Sequence, residues 1–153
     1  MTTPDTPRTL AERKADVLAK LTASPADAWV ATAGDEGPYL VPLTLAWLRD
    51  RIVLATDGRS RTVRQLEESA AARLALGGTR DVVMVDVVLE EIVPVTGAPG
   101  WLGDGYAAAG DWDPRRAGDG FVFLVLVPQR IQAWREADEI PGRTVMAAGE
   151  WLT

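Results

Sequence analysis

The chain reads as a mainly β protein, an antiparallel barrel or sandwich with few helices. Short apolar, β-prone stretches recur along it, at 28–33, 39–48, 52–56, 73–76, 82–93 and 121–127. Most are joined by hairpin-length turns rich in Gly, Asp and Arg. Only a few segments carry apolar residues at helical spacing. Many short strands with turn signals between them are the pattern of antiparallel all-β architectures.

The elements follow in order. Residues 1–8 read as a short flexible tail and 9–153 as one domain. Thr9 to Glu12 fits a capping box, and Leu10, Val17, Leu18 and Leu21 follow at helical spacing, which predicts a helix over 10–22. Ser24-Pro25 ends it. Residues 28–33 read as a strand, Gly34-Asp35-Glu36-Gly37 as a hairpin turn, and 39–48 as the returning strand. Pro42 places part of that strand at an edge or a bulge, because proline cannot donate to a ladder. Arg49-Asp50-Arg51 turns the chain into a strand over 52–56 and a helix over 60–70. A strand at 73–76, a turn at 77–81 and a long strand over 82–93 come next. Residues 97–120 are rich in Gly, Ala and Asp and predict a short helix near 101–109 between loops. Residues 121–127 form the most apolar stretch and read as a buried strand, which 129–135 extends beyond Pro128. A last extended segment is expected over 144–152.

Composition narrows the chemistry. The chain has 153 residues, a formal net charge of −6, no Cys and no His. An acidic chain is unsuited to general nucleic-acid binding or to docking on an anionic membrane. Without Cys there is no disulfide, thiolate nucleophile or thiolate metal site, and without His the commonest metal ligand and general base are gone. No metal site is expected. No apolar run approaches the length of a membrane span, and residues 1–7 carry no hydrophobic leader, which reads as a cytoplasmic protein. An enzyme of this composition is expected to leave the reaction to a cofactor and to supply binding and orientation.

One segment departs from ordinary helix design. Thr56-Asp57-Gly58-Arg59-Ser60-Arg61-Thr62-Val63-Arg64 leads from a strand through a Gly turn into a helix capped by Ser60. Arg61 and Arg64 fall in its first turn, with Glu67 and Glu68 further on. The helix dipole favours the opposite order, by about 0.3–1 kcal/mol per charge. A bound anion would reverse that preference. Backbone N–H groups, two hydroxyls and two or three guanidiniums would then converge on one phosphate. The alternative is a solvated helix start with unoptimised charges.

The six tryptophans divide. Trp29 and Trp47 lie on expected strands and read as core. Trp151 is placed to cover an open sheet end or a partner chain. Trp134 has charge on both sides, in Arg130-Ile131-Gln132-Ala133-Trp134-Arg135, and is as well placed to stack on a ring system as to pack in a core. Asp86, inside an apolar strand, is expected to face solvent or a second subunit.

Four segments together resemble the pyridoxamine 5′-phosphate oxidase-like, FMN-binding split-barrel superfamily, over about residues 28–135. Tyr39-Leu40-Val41-Pro42-Leu43-Thr44 is similar to its flavin-contacting strand. Ala55-Thr56 followed by Ser60-Arg61-Thr62 is similar to its phosphate motif. Thr79-Arg80-Asp81-Val82-Val83 resembles the turn and strand that reach the cofactor from the second subunit. Pro128-Gln129-Arg130-Ile131-Gln132-Ala133-Trp134 resembles its late Arg-Ile-x-x-Trp strand. The resemblance implies an antiparallel split barrel with flanking helices and a homodimer with two cofactor sites at its interface. It implies FMN as cofactor, or the deazaflavin coenzyme F420 as the alternative. Pro42, Thr44, Thr56, Ser60, Arg61, Thr62, Arg80 and Trp134 would bind it, and no catalytic residue is assigned. The oxidase proper has Lys where this chain has Thr62, and a His-containing C-terminal signature that this chain lacks. Pyridoxal phosphate synthesis is therefore not the expected activity. The expected function is oxidoreduction of an unspecified small molecule, and the alternative is a non-catalytic cofactor-binding or storage protein.

Overall fold

The structure, a computed structural model, describes residues 6–153. Residues 1–5 of the expected tail lie outside the described residues. Arg8, at the end of that tail, is buried and bonded to Glu139. Helix α1, Leu10–Leu21, starts on the expected capping box: Thr9 Oγ1 accepts from the Glu12 N–H and donates to Glu12 Oε1. Strands β1 (Ala26–Thr32), β2 (Tyr39–Leu48) and β3 (Arg51–Asp57) form successive hairpins. Helix α2, Arg61–Ser69, leads to β4 (Ala71–Leu76) and β5 (Val82–Pro94). Helix α3, Gly100–Ala109, precedes β6 (Phe121–Trp134), and β7 (Thr144–Ala147) and β8 (Glu150–Trp151) complete the chain.

The strands are ordered β3-β2-β1-β4-β5-β6 and every pairing is antiparallel. Pairing of β3 with β6 closes the ring into a six-stranded barrel, with β7 and β8 continuing from β6 as a flap. The expected mainly β fold with flanking helices is the fold observed.

Two cores hold it together. Inside the barrel, Val30, Leu45, Leu54, Leu74, Val85, Leu126 and Ile131, drawn from all six barrel strands, are fully buried. Outside it, α3 lays Leu102 and Tyr106 on Ala46, Val53, Ala55, Phe123 and Val125. The middles of β3 and β6 are thus covered on both faces, which is why they read as unbroken apolar runs. Each fully buried aliphatic side chain stabilises the fold by about 1.5–3 kcal/mol.

Prolines sit where the ladder tolerates them. Strand β2 meets β3 only over Leu45–Leu48, so Pro42, opposite Trp29 of β1, has one unladdered edge. Pro128 lies at a register shift between β5 and β6, and the chain passes through it as one continuous strand rather than two. Residues 144–152 form a hairpin, not one extended segment: Ala148 and Gly149, both at positive φ, turn β7 into β8. Trp29 corrects the sequence reading most. It is 52% exposed on the outer face of β1, because Ala26, Ala28 and Val30 take the inward positions of the alternation. Trp47 packs partly buried against the inner core as expected.

Candidate functional site

The start of α2 is built by three elements. Strand β3 ends at Asp57, and the Gly58 N–H donates to the Gly120 carbonyl, fixing the turn against β6. Ser60 caps the helix: its Oγ accepts from the Val63 N–H at 3.3 Å. The N–H groups of Arg61 and Thr62 follow the cap and have no intrahelical acceptor. The third element is the β1–β2 hairpin. Gln65 of α2 accepts from the Thr32 hydroxyl at 2.7 Å and donates to the Gly37 carbonyl at 2.8 Å, clamping the hairpin to the helix. Gly34 lets the hairpin approach closely here: an added Cβ would stand 3.1 Å from Gln65 Cγ, and the Glu68 carboxylate would have to move aside.

The hairpin brings its own carboxylate. Arg61 Nη2 donates to the Glu36 carbonyl at 2.6 Å, and its guanidinium lies over the Tyr39 ring, 4.7 Å from the centroid. Arg64 bonds Glu36 Oε1 and the Arg59 carbonyl. Arg59 bonds Asp57 and holds that carboxyl below its usual range. The three guanidiniums therefore do not converge on one point, as the sequence reading expected: each is drawn aside by Asp57 or the hairpin. Glu36 also supplies the negative charge that the helix dipole favours at this end. What stays open is the Ser60 hydroxyl proton and the N–H groups of Arg61 and Thr62; Arg61 Nε is buried, 3.8 Å from Glu36 Oε2 and without a hydrogen bond. These donors suit a phosphate. The Thr62 side chain is buried, so that residue offers the site only its N–H.

The other expected residues fall elsewhere. Thr56, half-buried, is the last but one residue of β3, beside the α2 turn. Pro42 is exposed on β2, and Thr44 donates to Asp27 Oδ1 at 2.8 Å. Arg80 is exposed and pairs with Glu136, and Trp134 pairs with Val82 under the Arg143 guanidinium, 5.3 Å from the ring centroid. Trp134 and Phe121 are the two ends of β6, and Phe121 pairs with Asp57. At the usual strand rise the path along β6 between those ends is roughly 40 Å. One chain thus joins Thr56, Ser60, Arg61 and Thr62, and leaves Arg80 and Trp134 at the far end. Sequence reading missed Glu36 and Gln65. Both act across separations of 28 residues, and no local signal marks them.

Titratable groups poised for proton transfer are scarce. Burial pushes the Tyr106 hydroxyl up to about 12, and it donates to the Thr44 carbonyl at 3.0 Å. It stays neutral and locked. Glu139 is held at about 2 by Arg8, in a cluster far from α2 in sequence.

The sequence matches no protein-family model and none of the curated proteins. Solved structures do share the fold. An F420 reductase is 22% identical with a TM-score of 0.58, over 74% of this chain and 94% of that one. A heme-binding protein from Mycobacterium smegmatis is 18% identical with a TM-score of 0.66, over 95% of this chain and 60% of that one. A pyridoxamine 5′-phosphate oxidase-related, FMN-binding protein from Nostoc punctiforme is 14% identical with a TM-score of 0.50, over 81% of this chain and 78% of that one. The chain has the fold of the pyridoxamine 5′-phosphate oxidase-like split-barrel proteins. None of its helices is long and apolar enough to cross a membrane, among the described residues.

Proposed function

We propose that this chain is an FMN-dependent oxidoreductase, or an F420-dependent one, acting on a small molecule as a homodimer in the cytoplasm. The observation that carries the reading is the open set of donors at the start of α2, on a fold shared with an F420 reductase and an FMN-binding protein. Ser60 and the N–H groups of Arg61 and Thr62 would hold the cofactor phosphate, with Arg61 neutralising it. The cofactor would supply hydride transfer. The protein's share is binding, orientation and exclusion of water.

A homodimer is supported by two features. The expected cofactor residues lie at opposite ends of one chain, so a site holding all of them needs a second copy. The outer face of β1, β2 and β5 exposes Trp29, Leu40 and Val88, a patch of large apolar side chains that association would cover. The scarcity of groups suited to proton transfer favours the second reading, a cofactor-binding or storage protein without turnover. The test is the absorbance spectrum of the purified protein, followed by titration with FMN and with F420 and by sedimentation. A flavin or deazaflavin spectrum on a dimer supports the proposal. A colourless protein that takes up neither cofactor overturns it, and a bound cofactor that no donor–acceptor pair reduces or oxidises selects the storage reading.

A further inference from the structure

At the far end of β6 lies a pair of cations that the site above does not use. Arg130, Gln132 and Trp134 alternate along the outer face of β6, and Arg143 reaches them from the start of β7. With its amide turned so that the oxygen faces these cations, Gln132 accepts from Arg130 Nη2 at 2.7 Å and from Arg143 Nε at 3.3 Å. Arg143 also lies over the Trp134 ring. Among the described residues no carboxylate pairs with either guanidinium, although acids outnumber bases in this chain by 22 to 16. Asp86, the cross-strand partner of Arg130 on β5, is taken by Arg73 at 2.6 Å. Like charges sharing one neutral acceptor repel, weakly where solvent screens them, and an anion between them would relieve that repulsion. A carboxylate offers each guanidinium a charge-assisted, potentially bidentate partner, and the indole offers a flat apolar wall beside it.

We propose that Arg130, Gln132, Arg143 and Trp134 form a binding subsite for a planar organic carboxylate. The oxyanion sits between the two guanidiniums and the conjugated part of the molecule lies along Trp134. That this molecule is the substrate rests on the oxidoreductase reading; that it binds does not.

The test uses the full chain without added cofactor and follows the indole N–H signals by NMR, with Trp134→Phe to assign the Trp134 signal. Benzoate, acetate, benzyl alcohol and inorganic phosphate are the probes. Benzoate is expected to shift the Trp134 signal saturably, and to bind about tenfold or more tightly than benzyl alcohol, which lacks the charge. Acetate and phosphate, which lack the flat part, should bind more weakly than benzoate. Arg130→Ala and Arg143→Ala should each weaken benzoate by about tenfold, while circular dichroism shows the barrel intact. Equal binding of benzoate and benzyl alcohol, or unchanged benzoate affinity in both variants, overturns the proposal. So does conversion of a dimer to monomer by these variants without any benzoate response, which would make the cations a contact between protein chains. Phosphate binding as tightly as benzoate reduces the subsite to a general anion site and also overturns it. Because no cofactor is present, a failure of the FMN or F420 titration leaves this result readable by itself.

Discussion

Two arginine clusters, one around Glu139 and one around Glu36, use the same chemistry in opposite settings. Glu139 is 3% exposed and Arg8 9%. The Glu139 carboxylate accepts from Arg8 Nε, Arg8 Nη2, and the Arg8 and Arg135 N–H groups, all within 2.9 Å. Arg13 meanwhile caps the carbonyls of Ala133, Glu139 and Gly142. These bonds tie the residues before α1 to the connection between β6 and β7. Around Glu36 the carboxylate is 52% exposed, Arg64 53% and Arg61 28%. Each cluster contains one buried Nε with no acceptor, on Arg13 and on Arg61. Exposure separates them. The first is closed, with its anion supplied by the fold. The second stands at a helix start, open to solvent, with donors to spare. Closed charge networks resist loss of a partner strongly, while exposed ion pairs contribute little. The first cluster holds the structure, and the second is free to bind.

The largest effect should come from the closed cluster. Glu139→Ala leaves the buried Arg8 cation hydrogen-bonded only to the more exposed Asp16 carboxylate and should cost about 3–5 kcal/mol of stability, measured by urea unfolding. A loss below about 1 kcal/mol would show the cluster to be solvated and break the contrast.

Next comes pH. Arg8 holds the Glu139 carboxyl at about 2, below the usual 4.5. A depressed folded-state value means that the unfolded chain binds the proton first. The stabilisation is therefore complete above about pH 4.5 and is lost as pH falls toward about 2. Melting temperature followed from pH 6 down to about 2 should fall steeply in the wild type, and less steeply in Glu139→Gln. Parallel acid limbs in the two proteins would assign the acid sensitivity to other carboxylates.

Much of this contrast was hidden in the sequence. The strands were legible because inward and outward residues alternate, or because both faces are covered, as in Phe121 to Val127. The α2 start was legible because its cap, turn and charge order are local. Glu139 was not, because its partner Arg8 lies 131 residues away. Glu36 looked like a turn residue until the hairpin folded onto α2. Trp29 misled because bulk and apolarity suggest a core, whereas its position in the alternation faces outward. Trp134 and Ser60 both lie in segments that carry the sequence resemblance, but only the fold shows that one chain holds them at opposite ends.

On the open cluster, Arg61→Ala should weaken cofactor binding by about ten- to a hundredfold, the worth of a charge-assisted hydrogen bond. It should also cost about 1 kcal/mol of stability, through the lost bond to the Glu36 carbonyl. That small cost replaces the expectation that Arg61 opposes the fold when no anion is bound. Equal cofactor affinity in the variant would leave Arg61 as a strut of the hairpin only.

A smaller change of the opposite sign is expected from Glu36→Gln. Its carboxylate competes with any incoming anion for Arg61 and Arg64. Neutralising it should raise cofactor affinity a few-fold and leave the melting temperature nearly unchanged. A fall in affinity would mean that Glu36 positions the arginines for the ligand rather than competing with it.

The central claim is that the start of α2 recognises a phosphate. It is tested most directly by a binding cycle that compares FMN with riboflavin, and F420 with its phosphate-free deazaflavin chromophore, in the wild type and in Arg61→Ala. The account predicts that the wild type prefers one phosphorylated cofactor over its phosphate-free form by about tenfold or more, and that Arg61→Ala removes most of that preference while the phosphate-free form binds equally to both proteins. A preference that survives intact in Arg61→Ala, or that is absent from the wild type, would contradict it.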